Sequence, residues 1–82
     1  MYLEIDLQNA NGRRREGRPT RNVTLDGVIN EATRIIKLLR AVEGQIAIYA
    51  SEAGRFIGYV IVDDEPYFED DEDKCSLTYR FN

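Results

Sequence analysis

TLDGVINEATRIIKLLRAVEG, residues 24–44, is the longest periodic segment of this 82-residue chain. Its apolar residues recur at steps of three and four, which predicts an amphipathic α-helix with one buried face. Thr24 can cap the first turn, Asp26 lies near the positive end of the helix dipole, and Gly44 suits the end of the helix. The predicted buried face consists of Leu25, Val28, Ile29, Ala32, Ile35, Ile36, Leu39 and Val42.

Four segments on either side of the helix are predicted to be β-strands, because their apolar residues alternate or run continuously. They are YLEIDLQ (2–8), QIAIYA (45–50), RFIGYVIV (55–62) and CSLTYRF (75–81). The third is apolar on both faces, which is typical of a central strand. In the last, Cys75, Leu77, Tyr79 and Phe81 share one face, so Cys75 is expected to pack in the core.

Together these elements predict an α+β fold with two layers, in which one amphipathic helix packs on a mostly antiparallel sheet of three to five strands. The order along the chain is β-(β)-α-β-β-β. The strand in parentheses is left open, because residues 18–25 can pair back on the first strand or lead into the helix. A chain of this length is expected to form one domain, residues 1–82.

Charge is distributed unevenly along the chain. Residues 1–62 hold nine Lys or Arg and seven Asp or Glu, a net +2, whereas residues 63–82 hold two and eight, a net −6; the total is −4. A basic loop is expected over residues 9–22 and an acidic loop over residues 63–74. Two opposed patches of this kind favour electrostatic recognition of a partner.

The basic loop contains five arginines and, between them, only one carboxylate, Glu16. Arginine forms two-point contacts to phosphates and carboxylates, so the segment is a candidate secondary binding site. A solvated loop tip, a contact to the chain's own acidic run and a grip on nucleic acid are the alternatives. The candidate residues are Arg13, Arg14, Arg15, Arg18 and Arg21.

The acidic loop is the densest anomaly of the chain, with eight carboxylates among the eleven residues 63–73. Extended, these residues span about 36 Å, or one charge per about 4.5 Å, against about 3.4 Å for one DNA strand. Tyr67 and Phe68 add two adjacent aromatics of the kind that anchor interfaces. A solvated loop, a protein-binding surface and a metal site are the three interpretations. The candidate partner-binding residues are Asp63, Asp64, Glu65, Tyr67, Phe68, Glu69, Asp70, Asp71, Glu72 and Asp73.

The composition argues against most catalytic chemistry. The chain has no histidine, and its single cysteine therefore has no partner base. Neither a dinucleotide-binding motif nor a phosphate-binding loop is present. We expect no enzyme activity and no cofactor, although a magnesium site built from Asp63, Asp64 and residues 69–73 remains an alternative. A lone cysteine and the lack of a signal peptide or long apolar segment favour a cytoplasmic protein.

Three functions are compatible with this sequence. The first is a small inhibitor or adaptor that binds a protein, in its strongest form a nucleic-acid mimic that blocks a basic channel. Phage-encoded counter-defence proteins such as anti-CRISPR inhibitors share its size and acidity, which is an analogy without any shared motif. The alternatives are a nucleic-acid-binding module that uses the arginine loop, and a subunit of a homo-oligomer that pairs through a sheet edge. None of them requires a membrane.

Overall fold

The computed structural model describes residues 1–62 and the strand 77–81, and confirms the predicted α+β class. The described elements are β1 (Tyr2–Asn9), β2 (Gly12–Pro19), α1 (Leu25–Leu39), β3 (Glu43–Tyr49), β4 (Phe56–Val62) and β5 (Leu77–Phe81). They form one antiparallel sheet in the order β2-β1-β3-β4-β5, with α1 packed on one face. The main contacts of the helix are with β1 and β4.

The core forms where the helix meets the alternating apolar residues of the three inner strands. Leu3 lies opposite Ile48 and Ile5 opposite Ile46, and all four are buried. The buried residues are Leu3, Ile5, Leu7, Val28, Ala32, Ile36, Ile46, Ile48, Val60 and Val62. Two residues of the predicted helix face lie outside this core, because Leu25 is 36% exposed and Val42, beyond the helix, is 59% exposed.

The helix ends five residues earlier than Gly44, the predicted end. Arg40 adopts the left-handed conformation, with φ 52° and ψ 44°, and its N–H donates to the carbonyl oxygens of Ile36 and Lys37. The N–H of Ala41 also donates to Ile36 O, at 3.1 Å. This double hydrogen bond is a Schellman cap, a helix ending that usually places glycine where Arg40 lies. The predicted N-cap is confirmed, because the Thr24 side chain accepts from the N–H of Gly27.

The predicted basic loop over residues 9–22 is wrong for most of its length. Gly12–Pro19 forms the strand β2, which pairs with the whole of β1 through a turn at residues 10–11. The optional strand of the predicted order therefore exists, but it precedes residues 20–24, which form no strand. The reason is that β2 lies at the sheet edge with both faces polar, so it lacks the apolar alternation that identifies a half-buried strand.

Strand β5 pairs antiparallel with β4, with Leu77 opposite Val62, Tyr79 opposite Val60 and Phe81 opposite Gly58. The predicted strand began at Cys75, and the expectation that Cys75 packs in the core lies outside the described residues, as does the predicted acidic loop. Within the described ranges, no helix is long and apolar enough to cross a membrane.

Glycine 44 has a different role from the predicted helix stop. It lies in β3 with φ +116°, and a Cβ at this position would overlap the backbone oxygen of Asp6 and approach Leu7 Cα to 2.9 Å. Only glycine fits a positive φ combined with so close an approach of the neighbouring strand. The edge glycine Gly12 also has a positive φ, +129°, but has open space around its Cα.

We therefore expect Gly44→Ala to destabilise the protein more than Gly12→Ala does. Gly12→Ala should cost about 1–2 kcal/mol, the cost of a left-handed conformation. Gly44→Ala should cost about 1–3 kcal/mol more, because the overpacked backbone must move as well. Urea unfolding followed by circular dichroism measures both free energies of unfolding. Equal decreases for the two variants would contradict the close contact of Gly44 with the backbone of β1.

Candidate functional site: an arginine-rich edge strand

Of the two predicted binding segments, the structure describes the arginine-rich one and not the acidic one. All ten candidate residues of the acidic run, Asp63 through Glu65 and Tyr67 through Asp73, lie outside the described residues. The five arginines lie within the described part of the chain. Four of them, Arg13, Arg14, Arg15 and Arg18, belong to β2, and Arg21 lies exposed in the connection to α1.

The strand divides its four arginines between the two faces of the sheet, because successive side chains of a strand point to opposite sides. The register pairs Arg14 with Leu7 and Arg18 with Leu3, which places these two arginines on the face that carries the helix. Arg13 and Arg15 lie opposite Gln8 and Asp6, on the other face.

On the face away from the helix, Asp6 is shared by two arginines. Arg13 donates through Nε and Nη2 to the two carboxylate oxygens of Asp6, at 2.8 and 2.9 Å, and Arg15 Nε lies 3.7 Å from Oδ2. The hydrogen bond from Arg13 lowers the pKa of the Asp6 carboxyl below its usual value, and the charges of Arg13 and Arg15 act in the same direction. Asp6 therefore fixes the direction of both side chains.

On the helix face, Glu16 has the matching role. It accepts from Arg14 Nε at 3.0 Å and from Arg18 Nη2 at 3.4 Å. Two carboxylates thus face four guanidinium groups, and this cluster keeps a net charge of +2. All four pairs are partly solvated, so they order the arginines without contributing much to the free energy of folding.

The outer backbone of β2 has no partner strand in the described sheet, where β2 is the terminal strand. Thr20 N donates to Met1 O at 2.9 Å, and hydrogen-bonded pairs alternate along an antiparallel ladder. The β2 residues whose backbone N–H and C=O groups bond to β1 therefore include Arg18, Glu16 and Arg14. The backbone groups of Arg13, Arg15, Gly17 and Pro19 point outward, and Pro19 lies where its missing N–H costs no ladder bond.

The connection from β2 to the helix is held by a polar cluster. The Thr20 hydroxyl and the Asn22 side-chain amide both donate to Glu31 Oε1, and Asn22 N donates to Thr20 Oγ1 at 3.1 Å. Arg21 lies between these two residues and points into solvent. It is thus separate from the cluster on β2, although the sequence groups all five arginines together.

A second basic position borders the tip of the β1–β2 hairpin. Asn9 Nδ2 donates to the carbonyl oxygen of Leu39 at 2.8 Å, which ties the hairpin to the end of the helix. The open depression beside this contact is lined by Arg13, Arg14 and Arg40 together with two exposed apolar side chains, Leu38 and Val42. Of the three basic residues on the helix and at its C-cap, Arg34, Lys37 and Arg40, Arg40 is the one that lines this depression.

An aromatic cluster on the face away from the helix was missed by the sequence analysis. Phe56 lies between Tyr49 and Tyr59, with ring centroids 5.5 and 4.7 Å away. The pKa of the Tyr49 hydroxyl is raised, mainly by partial burial and in second place by the negative charge of the nearby Glu4 carboxylate. The available signal was the alternation of Tyr49 with Ile48 and of Tyr59 with Val60, which assigns the tyrosines to the face opposite the core.

Comparison of the chain with known protein families, curated proteins and solved structures gives no match. Among residues 1–62 and 77–81, no three His, Cys, Asp or Glu side chains are grouped as metal ligands would be. The magnesium alternative suggested for Asp63, Asp64 and residues 69–73 concerns residues outside those ranges.

We expect Asp6→Asn to change the pH dependence of stability in a defined direction. The folded pKa of Asp6 is lowered, so its contribution is present above the unfolded value near 3.9 and is lost as the pH falls through the folded value. The unfolding free energy of the wild type should therefore exceed that of Asp6→Asn at pH 6, and the difference should shrink towards pH 2.5. Urea titrations at both pH values measure it.

Glu52→Gln is the matched control, because it removes one carboxylate from the exposed turn between β3 and β4. At pH 6 its unfolding free energy should lie closer to that of the wild type than that of Asp6→Asn does, because an exposed side chain of a turn contributes little to stability. A difference for Asp6→Asn that stays constant from pH 6 to pH 2.5 would contradict the ion pair with Arg13.

Proposed function

We propose that this protein is a small, non-catalytic, cytoplasmic inhibitor or adaptor that binds another protein. In this proposal the acidic run, residues 63–73, occupies a basic surface that otherwise binds nucleic acid. The first support is the charge density of the run, eight carboxylates in eleven residues. Carboxylates at this spacing offer a basic groove a line of negative charge comparable to that of a nucleic-acid strand.

The position of the run between two paired strands carries the proposal. Val62 at the end of β4 lies opposite Leu77 at the start of β5, a Cα separation of about 5 Å in an antiparallel pair. The two points to which the fourteen intervening residues are attached therefore lie side by side at one end of the sheet. A segment attached at both ends to a sheet has less freedom to lose on binding than a free acidic tail.

The same end of the sheet also carries part of the arginine cluster. One row across the strands joins Arg14, Leu7, Gly44, Val62 and Leu77. Arg14 is thus three strand spacings, about 14 Å, from the point where the run begins. A partner that met the run would find the arginines of β2 beside it, as a second contact for an acidic rim or for nucleic acid that the partner already holds.

Aromatic residues within the run support a protein partner over simple solvation. Tyr67 and Phe68 interrupt the carboxylates, and aromatic side chains are enriched among the residues that dominate binding energy at interfaces. The analogy of size and charge with phage-encoded inhibitors of nucleic-acid-processing enzymes belongs to this proposal.

A second candidate function is nucleic-acid binding through β2. It is favoured by Arg13 and Arg15, which lie two residues apart on the same face and are 54% and 74% exposed. Their spacing of about 6.8 Å along the strand is twice the spacing of about 3.4 Å between the charges of one DNA strand. The sharing of Asp6 weakens this candidate, since the carboxylate competes with a phosphate for the same donors.

The test of the main proposal is affinity capture with tagged protein from lysate with and without nuclease treatment. Bound proteins are identified by mass spectrometry and then challenged with DNA or RNA. We expect retention of a nucleic-acid-binding protein after nuclease treatment and its displacement by added nucleic acid. Material that disappears with nuclease would instead support the arginine strand as the functional surface.

Replacing Asp70, Asp71, Glu72 and Asp73 by Asn or Gln should lower affinity for the captured partner at least tenfold. The matched control replaces four exposed carboxylates elsewhere, Glu4, Asp26, Glu43 and Glu52, which gives the same change in net charge. The control should retain most of the affinity, because binding is expected to depend on the local density of negative charge in the run and not on the net charge of the protein. Circular dichroism checks that both variants fold, and equal binding by wild type and the variant of the run would disprove the proposal.

A further inference from the structure

The outer edge of β2 has the features of a strand-docking site. Between Arg13 and Gly17 it presents outward N–H and C=O groups at alternate residues, as derived above from the bond between Thr20 and Met1. An edge with no partner strand among the described residues is a template for another extended chain, and proteins that need no such partner blunt it with proline or with side chains that obstruct it. Pro19 blunts one end and leaves three outward donors, at Arg13, Arg15 and Gly17.

The arginine side chains leave this edge open. Arg13 and Arg15 lean inward over the sheet towards Asp6 on β1, and Arg14 and Arg18 lie along their own strand against Glu16. These directions place positive charge on both faces of the sheet beside the edge. The side chains of an incoming strand, which point to both faces of the sheet, would therefore lie beside guanidinium groups on each face.

The charge of β2 selects the partner. The strand carries four arginines and one glutamate, a net +3, so two copies paired through β2 would bring together two strands that each carry a net +3. Like charges opposite each other destabilise a strand pair, whereas opposite charges stabilise it. The charge of this edge therefore disfavours a homo-oligomer in which two copies pair through β2, and it favours pairing with an acidic strand.

We propose that the edge of β2 from Arg13 to Gly17 binds an extended acidic segment of a partner protein, which adds to the sheet as a further strand beside β2. This inference does not depend on the acidic run of the chain itself and can hold or fail independently of it. Backbone hydrogen bonds would supply the affinity, and the arginines would select Asp and Glu side chains on both faces of the added strand.

Single-stranded nucleic acid fits this edge less well. A phosphate backbone has no alternating N–H and C=O groups to continue the ladder, and no aromatic residue is interleaved with the arginines of β2 to stack on bases. Nucleic acid is thus the competing outcome of the experiment.

The experiment measures binding of a fluorescein-labelled ten-residue peptide with the repeat Glu-Glu-Thr-Thr, which places Glu on both faces of a strand, by fluorescence anisotropy. A peptide with the repeat Lys-Lys-Thr-Thr and a ten-nucleotide oligo-dT serve as the other probes. We expect the acidic peptide to bind and the other two to bind at least tenfold more weakly. Amide exchange followed by NMR should show new protection at Arg13, Arg15 and Gly17 when the acidic peptide is bound.

Two substitutions at one position separate strand pairing from charge. Arg15→Gln and Arg15→Pro remove the same charge, but only Arg15→Pro removes the outward N–H, at an edge position that tolerates proline. Arg15→Pro should bind the acidic peptide up to about tenfold more weakly than Arg15→Gln does, the upper end of what the loss of one backbone hydrogen bond gives.

Three results would overturn the inference. They are equal affinity of Arg15→Gln and Arg15→Pro, binding without protection of the three amides, and tighter binding of oligo-dT than of the acidic peptide. If Arg15→Pro does not fold, the amide protection in the wild type decides alone. Failure of the acidic run in the capture experiment would leave all these measurements unchanged.

Discussion

The width of one helix governs the layout of this protein. An α-helix is about 10 Å across and strands are spaced about 4.8 Å apart, so one helix covers two or three strands. Helix α1 lies over β1, β3 and β4, and the buried core follows it strand by strand. Strand β2 falls beyond this cover. Its helix-side positions, Arg14, Glu16 and Arg18, can therefore be charged, and the arginine cluster exists because the core ends at β1.

The same limit explains which elements could be predicted from the sequence. The helix buries one face against the sheet, and β1, β3 and β4 each bury one face against the helix. That burial requires the apolar periodicity by which these elements were identified. Strand β2 buries neither face, so its composition resembles that of a loop. The helix end was misplaced for a related reason, since glycine was taken as the stop. Instead, Arg40 forms the left-handed cap, and Gly44 lies in β3 where the backbone of β1 comes too close for a side chain.

The site was only partly accessible from the sequence. That Arg13 to Arg15 and Arg18 form a basic segment follows from their spacing alone, but their division between two faces depends on the register that the two-residue turn imposes on β1 and β2. The role of Asp6 depends on the same register, because Asp6 and Arg15 are nine positions apart in the sequence. The contacts of Phe56 with Tyr49 and Tyr59 require a shift in pairing after Ile48, which no periodicity of the sequence predicts.

Internal pairing of the arginines is compatible with binding because of where the ion pairs lie. Exposed ion pairs contribute about 0–1 kcal/mol each, so exchanging Asp6 or Glu16 for a partner's carboxylate changes the free energy little in either direction. In the proposed complex the charges would therefore act mainly on the rate and selectivity of encounter, whereas the affinity would come from groups that gain new hydrogen bonds on contact. On β2 those groups are the outward amides and carbonyls. An arginine-rich strand with its side chains already ordered by its own carboxylates presents those groups without first having to order flexible side chains.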